Sequence, residues 1–255
     1  MKIREYRRFP RWLAVAAVIL GFAAASGAQT RRWSLDFENG AAFNGMNDVA
    51  SPGDTGTRFS LTDDFQSKSG YFFRLRMTWQ LGRRHALSAL AAPLRLTASG
   101  PAPKDIRFFG AEIPAGAPVE GRYRFDSYRL TYRYTLIDSP RWTIGVGFTA
   151  KIRSAGIRLE SGSMRPEKTN LGFVPLLHAR VEWKSGKVFR FLLEADALAA
   201  PQGRAEDVLA ALLVKLGPAV TLKAGYRIVE GGADNEEVYN FALIHYAVAG
   251  LIIEF

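Results

Sequence analysis

The sequence predicts an all-β fold: a transmembrane antiparallel up-and-down β-barrel of about ten strands, preceded by a signal peptide. Three observations carry this. Apolar side chains recur at every second position over most of the chain beyond residue 28, which is the strand period. The connections between these stretches alternate short and long, a sorting that a soluble sandwich has no reason to make. Charged residues occupy the intervening positions, so one face of nearly every strand is apolar and the other ionic.

The composition narrows the alternatives. Hydrophobic residues make up 48% of the chain, yet no stretch after residue 28 supplies the roughly 18 consecutive apolar residues of a helical span. Strands must therefore carry that content. Residues 1–28 read as a secretory signal: Lys2, Arg4, Arg7, Arg8 and Arg11 form a basic head, Trp12 to Ala25 an apolar core, and Ser26-Gly27-Ala28 a cleavage site. Removing its five bases and one acid (Glu5) lowers the net charge from +10 to +6. The remaining bases lie singly at alternate positions, with no cluster and no nucleic-acid motif, so nucleic acid is not expected as a partner. Cysteine is absent, which excludes disulfides and thiolate metal sites.

Taken in order, the first strand spans about Arg32–Phe43 and is followed by a long polar segment, Asn44–Ser69. Tyr71–Leu81 is the second strand, and Gly82-Arg83-Arg84 turns it into the third, His85–Ala98. A Pro- and Gly-rich loop, Ser99–Gly121, leads to the fourth, Arg122–Ile137. Asp138-Ser139-Pro140 turns into the fifth, Arg141–Glu160, and Ser161–Leu171 separates this from the sixth, Gly172–Lys184. Ser185-Gly186 makes the hairpin into the seventh, Lys187–Ala199. The eighth, Asp207–Leu216, is rich in Ala and Leu and fits a helix by propensity; a chain that starts and ends on one side needs an even number of strands, which favours a strand. Gly217-Pro218 turns into the ninth, Ala219–Glu230. Tyr239–Phe255 closes the chain, with Ala247, Ala249, Leu251, Ile253 and Phe255 on one parity and Glu254 on the other.

The outward face follows from the same parity: Trp33, Leu35 and Phe37 in the first strand; Tyr71, Phe73, Leu75, Met77 and Trp79 in the second; Trp142, Ile144, Val146 and Phe148 in the fifth. Between the apolar positions of the strands lie Asp36, Glu38, Arg74, Arg76, Arg129, Arg133, Lys151, Arg190, Glu194, Asp196, Lys223 and Arg227, the expected lumen lining. The four tryptophans beyond the signal (Trp33, Trp79, Trp142, Trp183) all fall near the short-turn end of their strands, as an interfacial belt requires. Tyr71, Tyr123, Phe173 and Tyr239 are expected to form the opposite belt.

A closing strand that alternates and ends on an aromatic, together with the loop sorting and the belts, resembles the bacterial outer-membrane β-barrel superfamily over residues 29–255. The resemblance implies a single-domain monomer in the outer membrane, with short turns in the periplasm and lipopolysaccharide around the long loops. It also implies that the assembly machinery reads the strand ending in Phe255. No motif assigns a family within it.

Three functional readings follow. Long cationic side chains that cross the lumen and pair with Asp36, Glu38, Glu194 and Asp196 would make a plugged barrel with a structural or surface role. An excess of Arg and Lys would instead make a narrow, anion-leaning channel. The alternative is an enzyme acting on lipid A or peptides at the mouth. The strand count is similar to the omptin proteases in topology, whose chemistry needs a histidine and aspartates at the outer rim. Here His85 lies by a short turn, and His178 and His245 fall mid-strand. Asn47, Asp48, Asp54, Asp63 and Asp64 of the first loop supply hard oxygen ligands, but in no EF-hand spacing. No cofactor fingerprint is present.

Overall fold

The structure is a computed structural model that describes residues 31–200 and 203–255. The signal-peptide reading of residues 1–28 lies outside the described residues. The chain forms β1 (Trp33–Ala50), β2 (Phe59–Ser60), β3 (Gln66–Lys68), β4 (Gly70–Gln80), β5 (His85–Ala92), β6 (Arg95–Pro101), β7 (Ile106–Phe108) and β8 (Ala111–Ile113). It continues as β9 (Pro118–Asp138), β10 (Trp142–Glu160), β11 (Glu167–Lys184), β12 (Phe189–Ala200), β13 (Gly203–Lys215), β14 (Val220–Asn235) and β15 (Val238–Glu254).

Ten of these are staves of a closed antiparallel ring in the order β1, β4, β5, β9, β10, β11, β12, β13, β14, β15 and back to β1. Closure between first and last strand is continuous, from Ser34↔Glu254 to Ala50↔Tyr239, and Trp33 and Phe255 exchange backbone hydrogen bonds (3.0 and 2.9 Å). Ring closure gives most backbone polar groups of the staves a partner in the next strand; the exception is the outer part of β11, Glu167–Leu176, which pairs with β10 alone. β13 is a strand paired on both sides, not a helix. From Val208 to Val214 its residues are apolar on both faces, which weakens the alternation there.

Parity puts the apolar side chains outside. Phe37, Phe73, Leu75, Met77, Leu130, Phe148, Phe191 and Leu193 are exposed, and so are the four tryptophans. The rings of Trp33 and Trp79 stack at 5.3 Å, and Trp183 stacks on Phe191 at 5.3 Å. Each pair sits on adjacent strands at the short-turn end, and Trp142 lies beside Trp183 at 6.3 Å.

The outer half departs from the sequence expectation in three ways. First, β1 does not stop at Phe43. A bulge at Gly45 shifts its register against β15 between Asn44 and Met46, and the strand runs on to Ala50. The extra residue flips the parity, turning Asn47 and Val49 inward. A side chain at Gly45 would meet the His245 ring at 2.3 Å and would have to displace it. Second, the segment read as a long polar loop folds back into the barrel: Phe59, Leu61 and Phe65 are buried. They pack with Ile106, Phe108 and Ile113 of the β7–β8 hairpin and with inward Leu96, Val119 and Leu159. Phe108 meets Phe59 edge-on at 5.7 Å. Third, Tyr123 is no belt residue. It shares the inward parity of Arg129 and is 3% exposed, in a stack on Phe125 at 6.2 Å.

Candidate functional site: a charged girdle and a lateral pocket

Reading upward along the inward stripe of β14 (Thr221, Lys223, Gly225, Arg227, Val229, Gly231), the interior changes from wet, to ionic, to apolar. Thr221 lines a vestibule of about 340 Å³ open at the short-turn end, together with Arg76, Arg133, Arg180, Glu182 and Arg190. Above it sits a girdle of buried ions. Above that, one side is filled by the loop plug and the other holds a cavity.

Asp207 is the hub of the girdle. Arg74 donates to it at 2.9 Å, Arg129 lies at 2.6 Å, and Arg227 forms a further buried pair with it. Arg227 also reaches both oxygens of Glu38 at 2.9 Å, while Lys223 bridges Asp36 (2.6 Å) and Glu38 (2.7 Å). On the far wall Arg129 pairs with Asp196 at 2.7 Å; His178 Nδ1 donates to the same carboxylate at 2.8 Å, and Thr149 donates to it at 2.9 Å. Arg76 and Arg180 clamp Glu194 at 2.5 and 2.9 Å, and Arg180 and Arg190 hold Glu182 at 3.1 and 2.9 Å. These groups converge because facing strands deliver opposite charges at matched heights. Arg74 and Arg76 sit directly beside Glu38 and Asp36 in the β1–β4 register, for example. Charges taken out of water need such partners, and removal of one leaves the others uncompensated.

Eleven of the twelve residues expected to line the lumen occupy this girdle or the vestibule beneath it. The twelfth, Lys151, stands above, on the cavity, and Arg133 in the vestibule has no carboxylate within ion-pair distance among the described residues. The expected lumen lining omits Asp207, Arg180 and Glu182, and it omits His178, which the sequence reading places only as a mid-strand histidine. The last three share one parity in β11; Asp207 stands at the start of the Ala- and Leu-rich strand, where alternation gives no inward face. His245 points outward, 2.6 Å from the Tyr226 hydroxyl, and His85 is 2.7 Å from that of Tyr132 at the short-turn end. No histidine stands at the outer mouth. In the first loop Asp48 pairs with Arg58 (3.2 Å) and Asp64 accepts from the Ser60 amide (2.8 Å). Among the described residues no three His, Cys, Asp or Glu side chains group as a metal site.

The cavity, about 580 Å³, lies on the β10–β15 side of the outer half. Its walls include Phe125, Lys151, Arg153, Val174, Leu198, Val229 and Ile244. It shares no lining residue with the vestibule, and the girdle separates the two.

No protein-family profile matches the chain, and no curated protein matches it. Among solved structures it is similar to the outer membrane protease OmpT from Escherichia coli. That match has a TM-score of 0.55 at 9% identity and covers 91% of this chain and 99% of that one. It is also similar to the translocator domain of autotransporter NalP from Neisseria meningitidis (TM-score 0.44, 12% identity, 96% and 95% covered). A third likeness is to Ail, the attachment invasion locus protein of Yersinia pestis (0.40, 8%, 89% and 100%). The likeness to OmpT shows the fold: this chain is a closed, ten-stranded antiparallel barrel.

Proposed function

We propose that this protein sits in the bacterial outer membrane as a barrel closed along its axis, with a structural or surface role carried by the outer half. The exposed apolar band and the tryptophan belt support the placement. The observation that carries the closed axis is the girdle: Arg74, Arg129, Asp207 and Arg227 are all buried and cross-linked from four different staves. A solute passing along the axis would have to part ion pairs that have no water to replace them. Lipopolysaccharide around the long loops, recognition of the Phe255 strand by the assembly machinery, and a monomeric state belong to this reading as proposals.

Planar-bilayer recording of the refolded protein tests it. Absence of discrete conductance steps is expected, and steps with anion preference would replace the closed barrel with the narrow basic conduit. That second reading draws on Arg133, which lacks a carboxylate partner among the described residues. Proteolysis, the activity printed for OmpT, gains no support from the positions of His85, His178 and His245.

A further inference from the structure

The ring of staves is not hydrogen-bonded along its full height. β10 and β11 pair from Trp142↔Trp183 up to Arg158↔Glu167, but β11 and β12 pair only from Lys184↔Arg190 up to Leu177↔Ala197. Beyond that point Glu167–Leu176 holds β10 alone, while β12 goes on to pair with β13 as far as Ala200↔Gly203. The wall therefore parts between β11 and the β12–β13 hairpin. Pro175 lies on the parted strand and brings no N–H to either neighbour, as suits an edge.

The height of the gap is set by the tryptophan belt. A strand rising about 3.3 Å per residue and tilted about 40° climbs about 2.5 Å per residue, so an apolar band about 25 Å tall takes about ten residues. Counted from Trp183, the band reaches Phe173. The gap opens just above Leu177, so it faces the hydrocarbon of the outer leaflet. Its rim is apolar and unusually bare: Leu171 is 74% and Phe173 69% exposed.

The gap leads into the 580 Å³ cavity, for Leu171, Phe173 and Pro175 from the outside of the wall and Lys151 from its inside line the same space. That volume is in the usual range for a small-molecule site. From above, access is bridged. The β14–β15 turn is tied to the first loop through Gly53 N to Glu236 O (2.8 Å) and to β11 through Lys168 and Glu237 (3.2 Å). The floor carries a buried basic group. Lys151 is 3% exposed and has no hydrogen bond or carboxylate partner among the described residues; its ammonium lies 5.0 Å from the Phe125 ring centre. Every neighbouring carboxylate of the girdle is already claimed by arginines or Lys223. A buried ammonium without a counter-ion is costly, and an anion brought by a ligand would supply one.

We infer that the gap between β11 and the β12–β13 hairpin is a lateral port, through which an amphiphile with one anionic head and an aliphatic tail enters the cavity from the outer leaflet. The head sits on Lys151, and the tail runs past Leu198 toward Leu171 and Phe173. This rests on the membrane placement proposed above and is independent of whether the axis conducts.

Dodecanoate is the probe, titrated into refolded protein in a zwitterionic detergent, with dodecanol as its neutral match. Saturable one-to-one binding of dodecanoate is expected, with dodecanol at least tenfold weaker and K151M at least tenfold weaker for dodecanoate only. Equal binding of acid and alcohol, or K151M binding as the parent does, overturns the head-group assignment and the inference with it. If the β11–β12 ladder continued, Pro175 would face Ala199. The double variant Pro175→Cys/Ala199→Cys therefore locks the gap on oxidation and frees it on reduction in one folded protein. In lipid nanodiscs the oxidised form is expected to exchange dodecanoate at least tenfold more slowly than the reduced form; equal exchange overturns the port. Competition by phosphatidylglycerol but not phosphatidylcholine nanodiscs identifies a membrane lipid as the source of the anionic head. Absence of that competition identifies a free amphiphile, and both results support the site. Flotation of the nanodisc-bound protein reports separately on membrane placement.

Discussion

Asp207 shows how much one buried carboxylate can hold. It receives Arg74, Arg129 and Arg227 and is 2% exposed. Asp207→Ala leaves three guanidinium groups sharing Glu38 and Asp196, and breaking a buried ionic set in this way costs about 3–5 kcal/mol. The expected readout is a clearly lowered urea midpoint for the refolded protein. Glu112→Ala is the contrast. It removes an exposed pair with Arg107 at 3.2 Å on the β7–β8 hairpin, and is expected to change stability by no more than about 0.5 kcal/mol. A midpoint for Asp207→Ala that matched Glu112→Ala would mean that water reaches the girdle. At this scale the sequence was informative wherever a strand alternated cleanly. Arg74, Arg76, Glu38 and Asp36 were readable from parity alone, whereas their pairing depended on which strands became neighbours.

The staves behave as elements with two solvents. On β10 the outward set Trp142, Ile144, Val146, Phe148 faces away from the barrel, toward hydrocarbon in the proposed placement, while inward Thr149 and Lys151 meet the girdle and the cavity. Six residues from Trp142 at about 2.5 Å each places Phe148 near the middle of the band. Phe148→Arg is therefore expected to destabilise the folded barrel by about 2–4 kcal/mol, measured by folding titration into vesicles. A cost near zero there would show that this face does not contact hydrocarbon. Element ends were less legible than element faces. β1 outran its expected end because a glycine bulge resets the parity, and an alternation count reads a reset as a stop. The β7–β8 hairpin turns at Phe109 and Gly110, both with positive φ (43° and 80°), the pair of angles a tight hairpin needs. A phenylalanine in the first of those positions hides that turn from sequence.

The whole molecule stacks a vestibule, an ionic girdle and a plugged outer half. The plug buries Phe59, Phe65, Phe108, Ile106 and Ile113 where a water-filled barrel would have its mouth. Phe108→Ala is expected to cost about 3–5 kcal/mol of the plug's local packing. It should appear as faster protease cleavage within residues 102–117, with planar-bilayer recordings still silent because the girdle below is untouched. Conductance in Phe108→Ala would mean that the loops, not the ions, close the axis. Division of labour between the two closures is a property of the assembled barrel, since each draws on residues far apart in the chain.

The amino-acid sequence by itself determined the class, the strand number and the two faces, because a period of two and a lipid solvent leave one arrangement of apolar and ionic side chains. It also marked the tryptophan belt and most of the charged interior. Only the tertiary structure decided the rest: that loops fold inward, that Asp207 is the common partner of three arginines, and that β11 and β12 part company above Leu177. Those features depend on long-range register and on where each stave ends relative to its neighbour. Local alternation repeats identically along a strand, so it carries no record of the height at which a partner stops.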